Sequence, residues 1–142
     1  MKFVQQLLER KGSDIVTICR DASVFEAIKL MADRGVGSLL VMDGDDLVGI
    51  LTERDYARKV ILRGRSSETT AVGEIMTGNV ITANAGQSVD DCMGLMAEHR
   101  IRHLPVVNDG KVVGVISIGD LVNAIISDQQ DEIEQLGNYI SG

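Results

Sequence analysis

The sequence predicts an α+β fold built from two pseudo-twofold related βαββα repeats. Three observations predict it. First, the chain superimposes on itself without a gap at one constant shift, since Gly114 minus Gly49 is 65, and the same shift pairs Thr17 with Thr82, Ser23 with Ser88, and Asp55 with Asp120. Second, each copy carries a helix with a serine cap and a buried stripe. Third, each copy closes on an apolar hairpin ending in a glycine, two apolar residues, a hydroxyl and, three residues later, an aspartate: Gly49-Ile50-Leu51-Thr52-Glu53-Arg54-Asp55 and Gly114-Val115-Ile116-Ser117-Ile118-Gly119-Asp120. A repeat of this length is too long for one solenoid unit, so two α+β halves are the natural result.

In chain order, residues 2–10 place Phe3, Val4, Leu7 and Leu8 at helical spacing, an N-terminal helix within segment 1–12 that ends at Lys11-Gly12-Ser13. The first repeat, 13–62, opens with a strand over Ile15–Ile18. Ser23 and Glu26 form a Ser-x-x-Glu capping box, and Val24, Ala27, Ile28 and Met31 follow at i, i+3, i+4 and i+7. Arg34-Gly35 closes that helix. Ser38–Met42, a turn at Asp43–Asp46 and Leu47–Leu51 make a hairpin, and a helix is expected over Glu53–Leu62.

A polar linker, 63–74, precedes the second repeat, 75–126. There Ser88 and Asp91 reproduce the cap, Val89, Cys92, Met93 and Met96 the stripe, and Leu104–Val107, Asn108-Asp109-Gly110 and Val112–Ile116 the hairpin. Segment 127–142 reads as an acidic helix or tail with Ile133, Leu136 and Ile140 on one stripe, a surface for the module or a partner.

Composition bounds the function. The 142 residues are 44% hydrophobic, enough for a core but short for two independent domains. A net charge of -7, from 21 acidic and 14 basic residues, and only 3% aromatics disfavour a nucleic-acid surface, which needs clustered cations and stacking platforms. No apolar run approaches the roughly 18 residues of a membrane span, and no signal-peptide stretch opens the chain, so no membrane partner and a cytoplasmic location are expected. Cys19 and Cys92 do not occupy equivalent places and read as reduced thiols.

No Ser-His-Asp set, P-loop or Gly-x-Gly-x-x-Gly after a strand occurs, so no catalytic residue and no enzyme activity are expected. His99 and His103 are four apart, but the second enters a strand where that spacing does not converge, and no metal site is expected.

The repeated aspartates carry the chemistry. An ionised carboxylate is acceptor-only, so Asp55 or Asp120 can accept from both cis hydroxyls of a ribose; each can also serve as a helix-start residue. Thr52 and Ser117 can cap the same helices or meet a phosphate or ribose oxygen. Cations differ between the copies: Arg54 stands where the second has Gly119, and Arg102 and His103 stand where the first has Gly37 and Ser38. Arg63 and Arg65 are weaker candidates on the linker.

These motifs, with the Ile75-Met76-Thr77 lead-in and the Arg100-Ile101-Arg102-His103-Leu104-Pro105-Val106 strand, resemble a tandem pair of cystathionine-β-synthase (CBS) domains, or Bateman module, over about residues 13–126. Thr52-Glu53-Arg54-Asp55-Tyr56 and Gly64-Arg65-Ser66-Ser67 look most like the stand-alone pairs. The resemblance implies an adenosine-nucleotide-binding regulatory module that senses energy or redox state in signal transduction, with AMP as leading ligand and ADP, ATP or NAD(H) as seconds, held in clefts between the repeats.

It implies adenine slots lined by Thr17, Ile18, Gly37, Ser38 and Leu39 in one copy, and by Met76, Thr77, Thr82, Ala83, His103, Leu104 and Pro105 in the other. It also implies phosphate cations that converge from both halves, and a homodimer formed through the helices after Thr52 and Ser117. Two alternatives stand beside it: an interaction subunit with empty clefts that docks on an unknown regulated protein through the Ile133 stripe, and a detached regulatory piece of an oxidoreductase such as inosine monophosphate dehydrogenase.

Overall fold

The computed structural model describes residues 2–141, with side chains described to residue 138. The chain divides into two compact units, Asp14–Ile81 and Met1–Ser13 with Thr82–Gly142. Each contains one hairpin of the internal repeat.

In the unit Asp14–Ile81, β1 (Thr17–Ile18) pairs parallel with β2 (Ser38–Asp43), which pairs antiparallel with β3 (Asp46–Thr52). Between them runs α2 (Val24–Arg34), started by the Ser23 hydroxyl, which accepts from the Glu26 amide at 3.1 Å. Gly35 stops it at φ 65°, a left-handed conformation that costs glycine little. Val24, Ala27 and Met31 turn inward onto Leu39, Val41 and Leu51, so the 3.6-residue stripe meets the alternate residues of the strands. Full burial of each large member contributes about 1.5–3 kcal/mol, which makes this cluster the main support of the unit.

After β3 comes α3 (Glu53–Tyr56), continued by a π-helical segment (Ala57–Ile61) that closes with the Leu62 amide bonded to the Ala57 carbonyl at 3.0 Å. The expected helix over Glu53–Leu62 is therefore present, but it widens halfway. The segment expected as a linker is not featureless: Thr70 is buried, and α4 (Val72–Ile75) adds Val72 and Ile75 to the same core.

The other unit holds α1 (Val4–Lys11), α5 (Val89–His99), the antiparallel pair β4 (His103–Asn108) and β5 (Lys111–Ser117), and α6 (Ile118–Ser141). Ser88 caps α5 by accepting from the Asp91 amide at 3.0 Å. Both hairpins have a register shift at the same repeat position, between Val41 and Met42 and between Val106 and Val107. In the second, Asp109 and Gly110 both have positive φ, the requirement of a tight two-residue turn.

Four features depart from the sequence expectations. The first strand of the second repeat shrinks to a single parallel bridge, Ala83 to Val106, because Asn84 and Gln87 turn their side chains onto the local backbone. Phe3 is exposed although Val4, Leu7 and Leu8 are buried. Segment 118–141 is one 24-residue helix, so the segment expected from 127 as an acidic helix or tail continues the helix of the second repeat without a break, since no proline interrupts it. Its far end exposes Ile133 and Leu136, while Ile140 has a side chain outside the described residues.

The fourth departure concerns the lead-ins. Segment 72–77, which precedes the second repeat in sequence, packs on the first hairpin: Ile50 and Thr77 exchange backbone hydrogen bonds of 3.0 and 2.9 Å. Likewise α1, which precedes the first repeat, packs on the second hairpin, with Leu8 over Gly114. Among the described residues no helix is long and apolar enough to cross a membrane.

Candidate functional site

Two half-sites sit where β3 and β5 run into their helices. In the first, Thr52 and Asp55 close a reciprocal capping box. The Thr52 hydroxyl accepts from the Asp55 amide, and Asp55 Oδ2 accepts from both the Thr52 amide and its hydroxyl, each at 3.1 Å. Asp55 Oδ1 faces Lys59 Nζ at 3.2 Å and accepts from the Thr77 hydroxyl at 3.4 Å. Lys59 also donates to the Ile75 carbonyl at 2.9 Å. Asp55 is thus a buried carboxylate held in place on both oxygens.

Gly37 and Ser38 lie beside it: the Gly37 carbonyl accepts from the Glu53 amide at 3.2 Å, and Ser38 pairs in register with Thr52. Leu39 is buried in the core, and Arg54 is exposed on the first turn of α3. Thr17 and Ile18 pair with Leu40 and Val41 on the far side of β2 from β3, away from the Thr52–Asp55 corner. Met76 and Thr77 require a correction. The resemblance groups them with the second repeat, yet Thr77 bonds to Ile50 and reaches Asp55, and Met76 covers Gly49, so both stand at the first half-site. The physical reason is the side-chain-free strip at Gly49, which lets the lead-in approach the β3 backbone.

The second half-site repeats the first with different parts. The Ser117 hydroxyl accepts from the Asp120 amide at 3.1 Å, and Asp120 Oδ2 accepts from the Ser117 amide at 2.8 Å. The Arg102 carbonyl accepts from the Ile118 amide at 2.9 Å, matching Gly37 and Glu53, and His103 pairs in register with Ser117. Leu104 and Pro105 are buried, Arg102 and Thr82 are exposed, and Ala83 is tied to β4 through the Pro105 carbonyl at 2.9 Å. The cation that reaches Asp120 is Lys11, from the end of α1: its Nζ lies 2.7 Å from Oδ2 and donates to the Val115 carbonyl at 2.8 Å. Burial pushes the Asp120 carboxyl up. The Lys11 hydrogen bond, the Ser117 amide, the Lys11 charge and the Ser117 hydroxyl together outweigh it and hold the group below the usual carboxylate range.

Sequence reasoning missed both lysines. Lys59 had a signal, since it stands four residues after Asp55, the spacing of neighbours on a helix face. Lys11 had none, because its partner lies across a tertiary contact. Among the described residues no group of three or more His, Cys, Asp or Glu is placed to hold a metal.

The sequence model of the CBS domain matches residues 8–62 and 72–127. The mitochondrial CBS domain-containing protein CBSX3 of Arabidopsis thaliana is 43% identical over 127 residues, covering 86% of this chain and 62% of its own length. The chain therefore spans about three fifths of that relative. The solved structure of a protein with CBS domains from Burkholderia ambifaria MC40-6 is 55% identical, with a TM-score of 0.86 over 89% of this chain and 96% of its own. The CBS domain pair of MJ0100, solved with 5′-methylthioadenosine and S-adenosyl-L-methionine, is 30% identical with a TM-score of 0.79 over 89% of this chain and 97% of its own. Two matches to one domain, on two copies of one hairpin-and-carboxylate corner, place the chain in the CBS-domain family as a tandem pair.

Proposed function

We propose that the chain is a regulatory module that binds an adenosine nucleotide, AMP foremost, at the Asp55 and Asp120 half-sites. The observation that carries this is the duplicated corner itself: a hydroxyl and a carboxylate at a helix start, each carboxylate accompanied by a lysine. A carboxylate can accept both ribose hydroxyls, and cations nearby suit a phosphate. Lys59, Lys11, Arg54, Arg102 and His103 supply those cations in this reading, while Gly37, Ser38, Leu39, His103, Leu104 and Pro105 border the base. The adenosyl ligands of the MJ0100 pair support the ligand class. ADP, ATP and NAD(H) share the adenosine half and follow AMP.

In this reading the chain regulates and does not catalyse. Nucleotide acts by linkage, shifting the population towards whichever conformation binds it better. Self-association is the second part of the proposal: Ile61, Leu62, Ile126, Ile133 and Leu136 are exposed on the helical segments that follow the two corners, and a homodimer through those helices would cover them. Sedimentation equilibrium of the wild type and of Ile126→Glu tests it; a dimer converted to monomer is expected, and a monomeric wild type refutes it.

The ligand is tested by native mass spectrometry of the purified chain followed by a titration calorimetry panel of AMP, ADP, ATP, NAD, NADH and S-adenosylmethionine. AMP is expected to bind most tightly. Folded protein that gives no heat with any of the six refutes the reading.

A further inference from the structure

We infer that Lys11 is a specificity residue of the second half-site, selecting phosphorylated adenosine ligands over uncharged ones; this rests on the nucleotide-binding reading above. Lys11 is not placed by chance. Its helix is fastened into the second unit at both ends: the Val4 and Gln5 amides donate to the carbonyls of Gln87 and Ala85, each at 3.0 Å, Leu8 lies over Gly114, and Arg10 donates to the Ser127 hydroxyl at 3.1 Å. Gly12, at φ 94°, then turns the chain away. The last residue of α1 is thereby anchored beside the start of α6, with its ammonium on Asp120 Oδ2 and the Val115 carbonyl.

That placement sets a charge condition. The ammonium and the carboxylate neutralise each other. A ribose can be received on Asp120 Oδ1 while Lys11 and the Ser117 amide keep Oδ2, so the ammonium stays beside the bound sugar. A phosphate on the same ligand gives that ammonium a second counter-charge, whereas adenosine or methylthioadenosine offers it none. Lys11 therefore favours the charged ligand and adds nothing for the neutral one. The first half-site is built differently, since Lys59 comes from four residues along the same helical run and touches the other oxygen of its aspartate, Oδ1, leaving Oδ2 to Thr52.

The test is a heteronuclear NMR titration of the full chain, read at the Ser117 and Asp120 amides so that the second half-site reports separately. AMP is compared with adenosine. Wild type is expected to prefer AMP by about tenfold or more, an ordinary size for one partly exposed charge pair with a phosphate. In Lys11→Met the two affinities should converge to within about threefold, with AMP weakened and adenosine little changed. A purely structural role for Lys11 would weaken both together, and that result, or an unchanged ratio, overturns the inference. Lys11→Gln, which keeps a donor without the charge, serves the same comparison if the methionine variant unfolds, and Lys11→Arg should retain the preference. Wild-type amides that respond to neither ligand overturn the nucleotide reading together with this one, whereas wild-type binding with an unmoved ratio overturns this one alone.

Discussion

Replacing Gly49 by alanine puts a methyl group where the lead-in segment meets β3. A Cβ there would stand 2.5 Å from Met76 Sδ, 3.0 Å from Met76 Cγ and 3.1 Å from the Thr77 carbonyl oxygen. The thioether can swing aside, but the carbonyl cannot, because it accepts from the Ile50 amide at 3.0 Å while the Thr77 amide donates back at 2.9 Å. The equivalent Gly114 faces a softer neighbour: its Cβ would meet Leu8 at 2.7 and 3.3 Å, both methyl tips. Overpacking costs about 1–3 kcal/mol, with the rigid case at the upper end, and the loss of glycine's freedom in the unfolded chain returns about 0.4–1 kcal/mol. The net expectation is a loss of about 2 kcal/mol for Gly49→Ala and about 0.5 kcal/mol for Gly114→Ala. At roughly 2–4 °C per kcal/mol, Gly49→Ala should melt about 4–8 °C below wild type and Gly114→Ala within about 2 °C of it. Thermal unfolding followed by far-UV circular dichroism reads both. A Gly49→Ala protein as stable as wild type, or the reverse order of the two variants, would refute the packing of 72–77 on the first hairpin.

Other outcomes follow from the same geometry. Ser23→Ala and Ser88→Ala each remove a hydroxyl that caps a helix and should each cost about 1 kcal/mol by urea denaturation, with Ser→Gly milder. Asp120 has its folded-state titration held below the ordinary 3.8, so its contribution to stability is complete above that value and is lost as the pH falls through the folded one. Asp120→Asn should therefore flatten the acid limb of the stability curve below about pH 4; an unchanged limb contradicts the ion pair with Lys11. Cys19 is exposed and Cys92 is buried, with burial and then the Asp91 charge pushing its thiol up. A thiol reagent should modify one cysteine promptly and the second only on unfolding.

Much of the fold could be read from the residues because it rests on local signals. Ser23 and Ser88 announce their helices through hydroxyls that serve amides three residues on, and Asp109-Gly110 announces a turn through its need for positive φ. The corner at Thr52–Asp55 and Ser117–Asp120 was legible for the same reason, since both members lie three residues apart. The partnerships that were missed are long-range. Nothing near Lys11 in sequence says that it meets Asp120, and Met76-Thr77 follows a linker that gives no sign of folding back onto β3. The glycine at the same place in both hairpins was the trace of those contacts: a bare strip on each strand is where a foreign segment can lie. The widening after Tyr56 has no sequence signal that we can identify.

The central claim is that the paired carboxylates are ribose sites, and it is tested most directly by titrating AMP into the wild type and into Asp55→Ala, Asp120→Ala and the double variant, each verified as folded. Losing a charged hydrogen-bonding partner of the sugar costs about 1.5–3 kcal/mol, so each single change should weaken its own half-site by roughly ten- to a hundredfold and the double variant should show no saturable heat. A double variant that binds AMP as the wild type does would contradict the account.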